Sequence, residues 1–191
     1  VVDTIAFVGV VGNMVLWANG TDIGEGNKEF IRFTLGDDFD TAWSMAQELL
    51  QNHSELLFVP SDVAVEVDGE RVAKQVDELP VPHPIYDIGL QTLMRLRPIM
   101  MDAGCILWNG PASYFEKPAF AFGTIEILNM CTETTAMTIV GGGHTSALVN
   151  SRGVGDKVTH NSTGGGACLQ MLCGDKMPVI EALAHSAKKF S

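Results

Sequence analysis

The stretch TIVGGGHTSALV, Thr138 to Val149, decides the fold class. An apolar run stops at three glycines, and a His-Thr pair then opens a segment of helical pattern. An apolar run without polar alternation fits a strand buried on both faces, and strand–glycine–helix is the repeating unit of a parallel sheet. Three more junctions share this character: VGVVGN (residues 8–13), WNGPASYFE (108–116) and STGGGAC (162–168).

Outward from these junctions, short apolar runs alternate with helix-length amphipathic stretches. TIAFVGVV (4–11) reads as a buried strand and GNMVLWANG (12–20) as a short helix ended by Gly20. DDFDTAWSMAQELLQN (37–52) carries acids at its start and apolar Ala42, Trp43, Met45, Ala46, Leu49 and Leu50, which predicts an amphipathic helix. ELLFVP (55–60) reads as a strand, DVAVEVDGERVAKQV (62–76) as a strand and hairpin, and ELPVPHPIYDIG (78–89) as a Pro-rich passage. LQTLMRLRPIMMDAG (90–104) reads as a helix, CILWNGP (105–111) as a strand with a turn, and EKPAFAFGTIEILNMCTE (116–133) as helical. Strand, helix, strand and two final helices complete the chain. This alternation predicts an α/β protein, a three-layer α/β/α Rossmann-like domain with a mainly parallel sheet of about six strands. In open sheets of this class ligands bind beyond the carboxyl ends of the strands, which directs attention to the four junctions.

Composition removes several function classes. The formal charge of −11 over 191 residues argues against a nucleic-acid partner, which needs clustered Lys and Arg. Cys105, Cys131, Cys168 and Cys173 form no C-x-x-C pair and read as buried free thiols of a cytoplasmic protein. No apolar segment reaches the roughly 18 residues of a membrane span. The amino-terminal stretch has no basic lead-in and carries Asp3, unlike a signal peptide. It opens without Met almost directly in a strand, which reads as a piece of something longer.

Glycine lets main-chain N–H groups approach a ligand, and the following helix adds unpaired N–H groups and the positive end of its dipole. Two triplets, Gly141–Gly143 and Gly164–Gly166, suggest a polyphosphate ligand, with hydroxyls from Thr145, Ser162 and Thr163. The alternative is a pair of tight turns. Neither triplet matches G-x-x-x-x-G-K-[ST] or G-x-G-x-x-G, so a P-loop and a dinucleotide oxidoreductase both lose ground. Trp108 reads as core, and Asn109 and Pro111 as a rigid turn. Glu116, placed on the next helix, could accept ribose hydroxyls or serve as a first-turn acid. Asp87 reads as fixing the turn before Gly89.

Three blocks then coincide in order and spacing. ILWNGPASYFEKPAFAFGT, TIVGGGHTSALV and DKVTHNSTGGGACLQMLCGDKMPVIEAL resemble the carboxyl-terminal half of the phosphoglycerate kinase family, with AFVGVVGNMVL, LLFVPSDVAVE and YDIGLQT as further matches. The resemblance implies a two-lobed kinase transferring a phosphoryl group between 1,3-bisphosphoglycerate and ADP, with this chain as the lobe that binds ATP or ADP with Mg²⁺. Carried over by position, Gly9 and Gly89 would wall the adenine pocket, Asn109 and Pro111 would lie along the nucleotide, and Glu116 would hold the ribose. Gly142, Gly143, His144 and Thr145 would meet the phosphates, and Gly164, Gly165 and Gly166 the phosphoryl group in flight.

Two departures accompany the resemblance. Most of the family has Asp where this chain has His144, and imidazole is a poor ligand for Mg²⁺. Archaeal-type members often carry His there, so the resemblance implies a metal held chiefly by nucleotide phosphates and water, and no residue of this chain is named as its ligand. The family's G-G-A-K block and its basic lobe for 3-phosphoglycerate fall outside the chain. The resemblance therefore implies a nucleotide half that does not turn over alone, the alternative being a stand-alone nucleotide-binding or regulatory module.

Overall fold

A computed structural model describes residues 2–190; Val1 and Ser191 lie outside the described residues. The first apolar run divides between two elements. Strand β1 covers only Ile5–Ala6, and helix α1 (Gly9–Ala18) takes over at a glycine with φ +62°. A Cβ at Gly9 would lie 2.6 Å from the Pro111 carbonyl oxygen, so the backbone can turn here only without a side chain. The strand expected over 4–11 is thereby shortened, and the helix expected from Gly12 starts three residues earlier.

Helix α2 (Glu25–Leu35) and helix α3 (Phe39–Asn52) follow. The acidic start and apolar stripe of α3 give the expected amphipathic helix, whereas α2 has no counterpart in the sequence reading. Its inward positions are Asn27 and Ile31, while Phe33 is 86 % exposed, so polarity and burial run against the usual pattern. Asn27 is nevertheless fully used. Its Nδ2 donates to the carbonyls of Ile23 (2.8 Å) and His83 (3.0 Å), and its Oδ1 accepts from the Ile85 N–H at 2.9 Å. Trp17, Phe39 and Trp43 pack together at ring separations of 4.4 to 5.9 Å, with the Arg32 guanidinium 4.9 Å from the Trp17 ring.

Strand β2 (Leu57–Phe58) pairs in parallel with β1. Strands β3 (Asp62–Val67) and β4 (Glu70–Gln75) form the expected hairpin, closed by Asp68 and Gly69, both at positive φ, the turn that matches strand twist. The Pro-rich passage contains a strand, β5 (Ile85–Ile88), antiparallel to β3 on its other side. Helix α4 (Leu90–Asp102), strand β6 (Cys105–Asn109) and helix α5 (Phe122–Glu133) come next. Then follow β7 (Met137–Gly141), α6 (Gly143–Ser151), β8 (His160–Ser162), α7 (Gly166–Leu172) and α8 (Pro178–Phe190).

The α/β class stands, with a different division of strands. Among the described residues the parallel strands fall in two ladders, β1–β2 and β6–β7–β8, where one sheet of about six is expected. The hairpin accounts for part of the difference, because a two-residue connection can join only antiparallel strands. Two compact units result: residues 2–103 with 111–135, and residues 104–110 with 136–190. The first unit has its core in Met14, Val15, Leu16, Ile23, Ile31, Val63 and Val65. In the second, Trp108, Val140 and Asn161 stand in register across β6, β7 and β8. Trp108 and Val140 are buried, as the core reading of Trp108 requires. All four thiols are free, but only Cys131 is buried; Cys105 and Cys173 are exposed and Cys168 is intermediate, which corrects the expectation of four buried thiols.

Two buried carboxylates fasten helices to the antiparallel sheet. Asp62, on β3, accepts from the N–H groups of Gln91 (2.9 Å) and Thr92 (2.7 Å) and from Thr92 Oγ1 (2.6 Å). It caps α4, whose own N-cap, Gly89, has no side chain to do so. Asp87, on β5, accepts from the Gly123 N–H in the first turn of α5 at 3.1 Å and from the Ile88 N–H at 2.8 Å. The turn role expected of Asp87 is thus only part of its work. Burial pushes its carboxyl up to about 6, against the opposing pull of these N–H groups and of Arg71.

Removing Asp62 strands the buried donors of Thr92, so Asp62→Ala is expected to lower unfolding free energy by about 2–4 kcal/mol, read by urea denaturation. For Asp87 the folded carboxyl binds its proton more tightly than the unfolded one. Its stabilising contribution is complete below its ordinary value of 3.8 and is lost as pH rises through about 6. Urea midpoints for Asp87→Asn should therefore decline less between pH 4 and 6 than those of the parent chain.

Candidate functional site

Each unit holds its own share of the sequence-predicted residues. In the second unit β7 ends at Gly141, and Gly142, at φ +94°, is the N-cap of α6. The Asn109 side chain packs on this turn: a Cβ at Gly141 would lie 2.9 Å from Asn109 Oδ1. One at Gly142 would lie 3.0 Å from Thr145 Oγ1 and 3.2 Å from the Gly110 nitrogen.

The second triplet meets the first. Gly165 has φ +35°, and a Cβ on it would fall 3.2 Å from Gly142 Cα and 3.8 Å from the Gly143 nitrogen. Gly141, Gly142 and Gly165 are therefore glycines because backbone lies against backbone or against Asn109. Gly143 and Gly166 are different, since a Cβ at either would meet nothing within 4 Å. These two, with Gly164 and His144, are exposed. Packing thus accounts for one set of glycines and leaves the other facing open space, where a ligand can approach the main chain.

The electrostatics of this turn come from the backbone. The first N–H groups of an α-helix have no carbonyl partner within it, and α6 carries neither an acidic residue in its first turn nor a side-chain cap. An anion at that end would meet an uncompensated dipole. The Thr145 hydroxyl, expected to point toward a ligand, is turned inward. Thr145 is wholly buried and its Oγ1 donates to the Gly141 carbonyl, with the Gly142 carbonyl at 3.0 Å. A hydroxyl at the third helical position reaches back to close the turn more readily than it reaches out. Among the described residues, no group of three or more His, Cys, Asp or Glu side chains gathers where it could hold a metal ion.

In the first unit Gly9 and Pro111 are brought together by the close approach already described, and Pro111 opens a loop that runs to Lys117. Glu116 lies in a turn of this loop, exposed, and not on the helix expected there. Pro118 sets the start of a single 3₁₀ turn, and α5 begins only at Phe122. The loop is anchored at both ends. The Ala112 N–H donates to Thr124 Oγ1 (3.1 Å), and the hydroxyls of Ser113 and Thr124 are 2.6 Å apart. The Tyr114 N–H donates to the Tyr86 carbonyl at 2.7 Å, and the Lys117 N–H donates to the Tyr114 carbonyl at 3.0 Å. Gly89 is buried, and the Asp62 carboxylate occupies the space its side chain would need. The cap on α4 is by itself enough to require glycine here.

A family model described as phosphoglycerate kinase matches residues 1–175. The chain belongs to the phosphoglycerate kinase family. It is 40 % identical over 175 residues to phosphoglycerate kinase of Methanopyrus kandleri, covering 92 % of this chain and 42 % of that protein. The corresponding protein of Thermoplasma volcanium is 38 % identical over 189 residues, covering 99 % and 46 %. The crystal structure of the Pyrococcus horikoshii enzyme superposes with a TM-score of 0.88 at 34 % identity, over 98 % of this chain and 46 % of that one. The Coxiella burnetii enzyme gives 0.77 at 32 % identity, over 97 % and 47 %. The chain thus spans less than half the length of the phosphoglycerate kinases it matches.

The cradle makes its own prediction. Gly142→Ala places a Cβ in a left-handed backbone and against Gly110, and should cost about 1–2 kcal/mol of unfolding free energy. Gly143→Ala adds its methyl to open space and should leave the unfolding free energy from urea denaturation within about 0.5 kcal/mol of the parent.

Proposed function

We propose that this chain is the Mg-nucleotide-binding half of a cytoplasmic phosphoglycerate kinase, which transfers a phosphoryl group between 1,3-bisphosphoglycerate and ADP. The observation that carries the reading is the contact of Gly165 with Gly142, which sets the turns after β7 and β8 side by side. Phosphoryl transfer asks a protein chiefly to position groups and neutralise charge, and two adjoining runs of main-chain donors supply both.

In this reading Gly142, Gly143 and His144 present N–H groups and the α6 dipole to the phosphates. Gly164, Gly165 and Gly166 face the transferred group, and Thr145 serves by holding the turn shut. Asn109 supports the cradle from β6, Gly9 and Pro111 border the nucleoside, and Glu116 accepts the ribose hydroxyls. The donor set suits anions, so Mg²⁺ is carried by the phosphates and water, and when bound it neutralises phosphate charge. The phosphoglycerate and the cations that face it belong to sequence outside this chain, in the remaining portion of a protein of the relatives' length.

Calorimetric titration with ADP in the presence of Mg²⁺ tests the reading. Binding at roughly millimolar concentration or tighter is expected, weakened at least about tenfold by Glu116→Ala with the fold intact. No heat at millimolar ADP would sink the assignment. Because each donor aimed at developing charge is worth roughly 3–4 kcal/mol, the 191-residue chain should show no turnover in a coupled assay with 3-phosphoglycerate. Ordinary kinase rates from this chain alone would refute the division of labour.

A further inference from the structure

The Pro111–Lys117 loop places an acid and a base side by side, Glu116 and Lys117, in a chain whose acids outnumber its bases by 23 to 12. Neighbouring side chains of opposite charge in an exposed turn are natural partners. Here the lysine is engaged elsewhere. Its ammonium forms an ion pair with Glu66 of β3, and sits 5.5 Å from the Tyr86 ring centre and 5.7 Å from that of Phe120. The Tyr86 and Phe120 rings meet edge to face at 5.2 Å, which makes a fixed seat for the cation. The lysine side chain is 35 % exposed and Glu66 20 %, so the pair is partly withdrawn from solvent. The Lys117 carbonyl also accepts from the Phe120 N–H at 2.8 Å, fixing the backbone that follows.

Glu116 stands between the two anchors of this loop, Tyr114, bonded to Tyr86 of β5, and Lys117, paired with Glu66 of β3, and it is exposed. We infer that Lys117 is a positioning residue: held by Glu66, Tyr86 and Phe120, it pins the loop and keeps its own charge away from Glu116, leaving that carboxylate to accept ligand hydroxyls. This rests on the reading of Glu116 as the ribose acceptor. Removing either partner of the pair loosens the loop, and removing Glu66 has a further consequence. The loop loses its hold on β3, and with Glu66 neutralised the freed ammonium turns to Glu116 and competes with the ribose.

The test compares ADP with 2′,3′-dideoxy-ADP, which lacks the hydroxyls in question, by calorimetry on the 191-residue chain. Glu66→Gln and Lys117→Met are each expected to weaken ADP about fivefold, to leave the dideoxy analogue unchanged, and to keep the parent's far-ultraviolet circular dichroism. Lys117→Arg, which can keep the ion pair and the ring contacts, should restore ADP binding to within about twofold. Equal weakening of both nucleotides, or of neither, overturns the positioning role while the nucleotide assignment stands. If the parent chain itself binds the two nucleotides equally, Glu116 is not the ribose acceptor, and the inference falls with it. If either variant unfolds, Glu66→Asp provides the second measurement: the shorter side chain should weaken ADP and spare the analogue, and any other pattern overturns the inference.

Discussion

Two aspartates, each only 3 % exposed, fasten the first unit together. Asp62 and Asp87 lie on neighbouring antiparallel strands and reach the first turns of α4 and α5, helices that lack side-chain caps of their own. Orphan N–H groups at a buried helix start are costly, and an unpaired buried carboxylate costs more, so each satisfies the other only if sheet and helices hold one geometry. Gly89 and Gly123 are the counterpart, since a side chain on either would strike the capping carboxylate. The start of α5 in turn fixes Thr124, which holds Ala112 and Ser113, and so the loop carrying Glu116 is placed by a chain of contacts beginning at Asp87.

The second unit is organised by the opposite means. Where the first relies on charged side chains buried against N–H groups, the β7 and β8 turns rely on having no side chain. Packing requires three of the glycines in the two triplets, and the rest of the cradle is main chain facing outward. The absence of lysine and arginine from TIVGGGHTSALV leaves the backbone N–H groups and the α6 dipole as the positive features of this turn.

Much of this was legible in the residues. The β7–α6 unit, the helix α3 and the β3–β4 hairpin each announce themselves through one local signal, respectively an apolar run ending in glycine, a 3.6-residue stripe, and Asp-Gly between alternating strands. What escaped depends on partners distant in sequence. Helix α2 buries an asparagine whose hydrogen bonds run to His83 and Ile85, more than 50 residues away, and it turns Phe33 to solvent. Strand β5 is masked by the prolines before it. The candidate site residues are named by resemblance to a family, and local pattern alone assigns them no single role. Thr145 and Gly89 make close contacts within the fold, and nothing local in the sequence marks Asp62 as a helix cap or Glu66 as the partner of Lys117. Thr145 closes its turn on carbonyls three and four residues back, but for Gly89, Asp62 and Lys117 the deciding contact crosses tens of residues, a distance that local pattern does not encode.

The contact between Gly142 and Gly165 has a consequence for mutational mapping. Alanine scanning finds functional positions by deleting atoms, and here there are none to delete. Every substitution in the two triplets adds bulk, so at Gly142 or Gly165 loss of binding cannot be separated from loss of the turn. The open positions, Gly143 and Gly166, are the ones where an added methyl reports on a bound ligand and not on the fold.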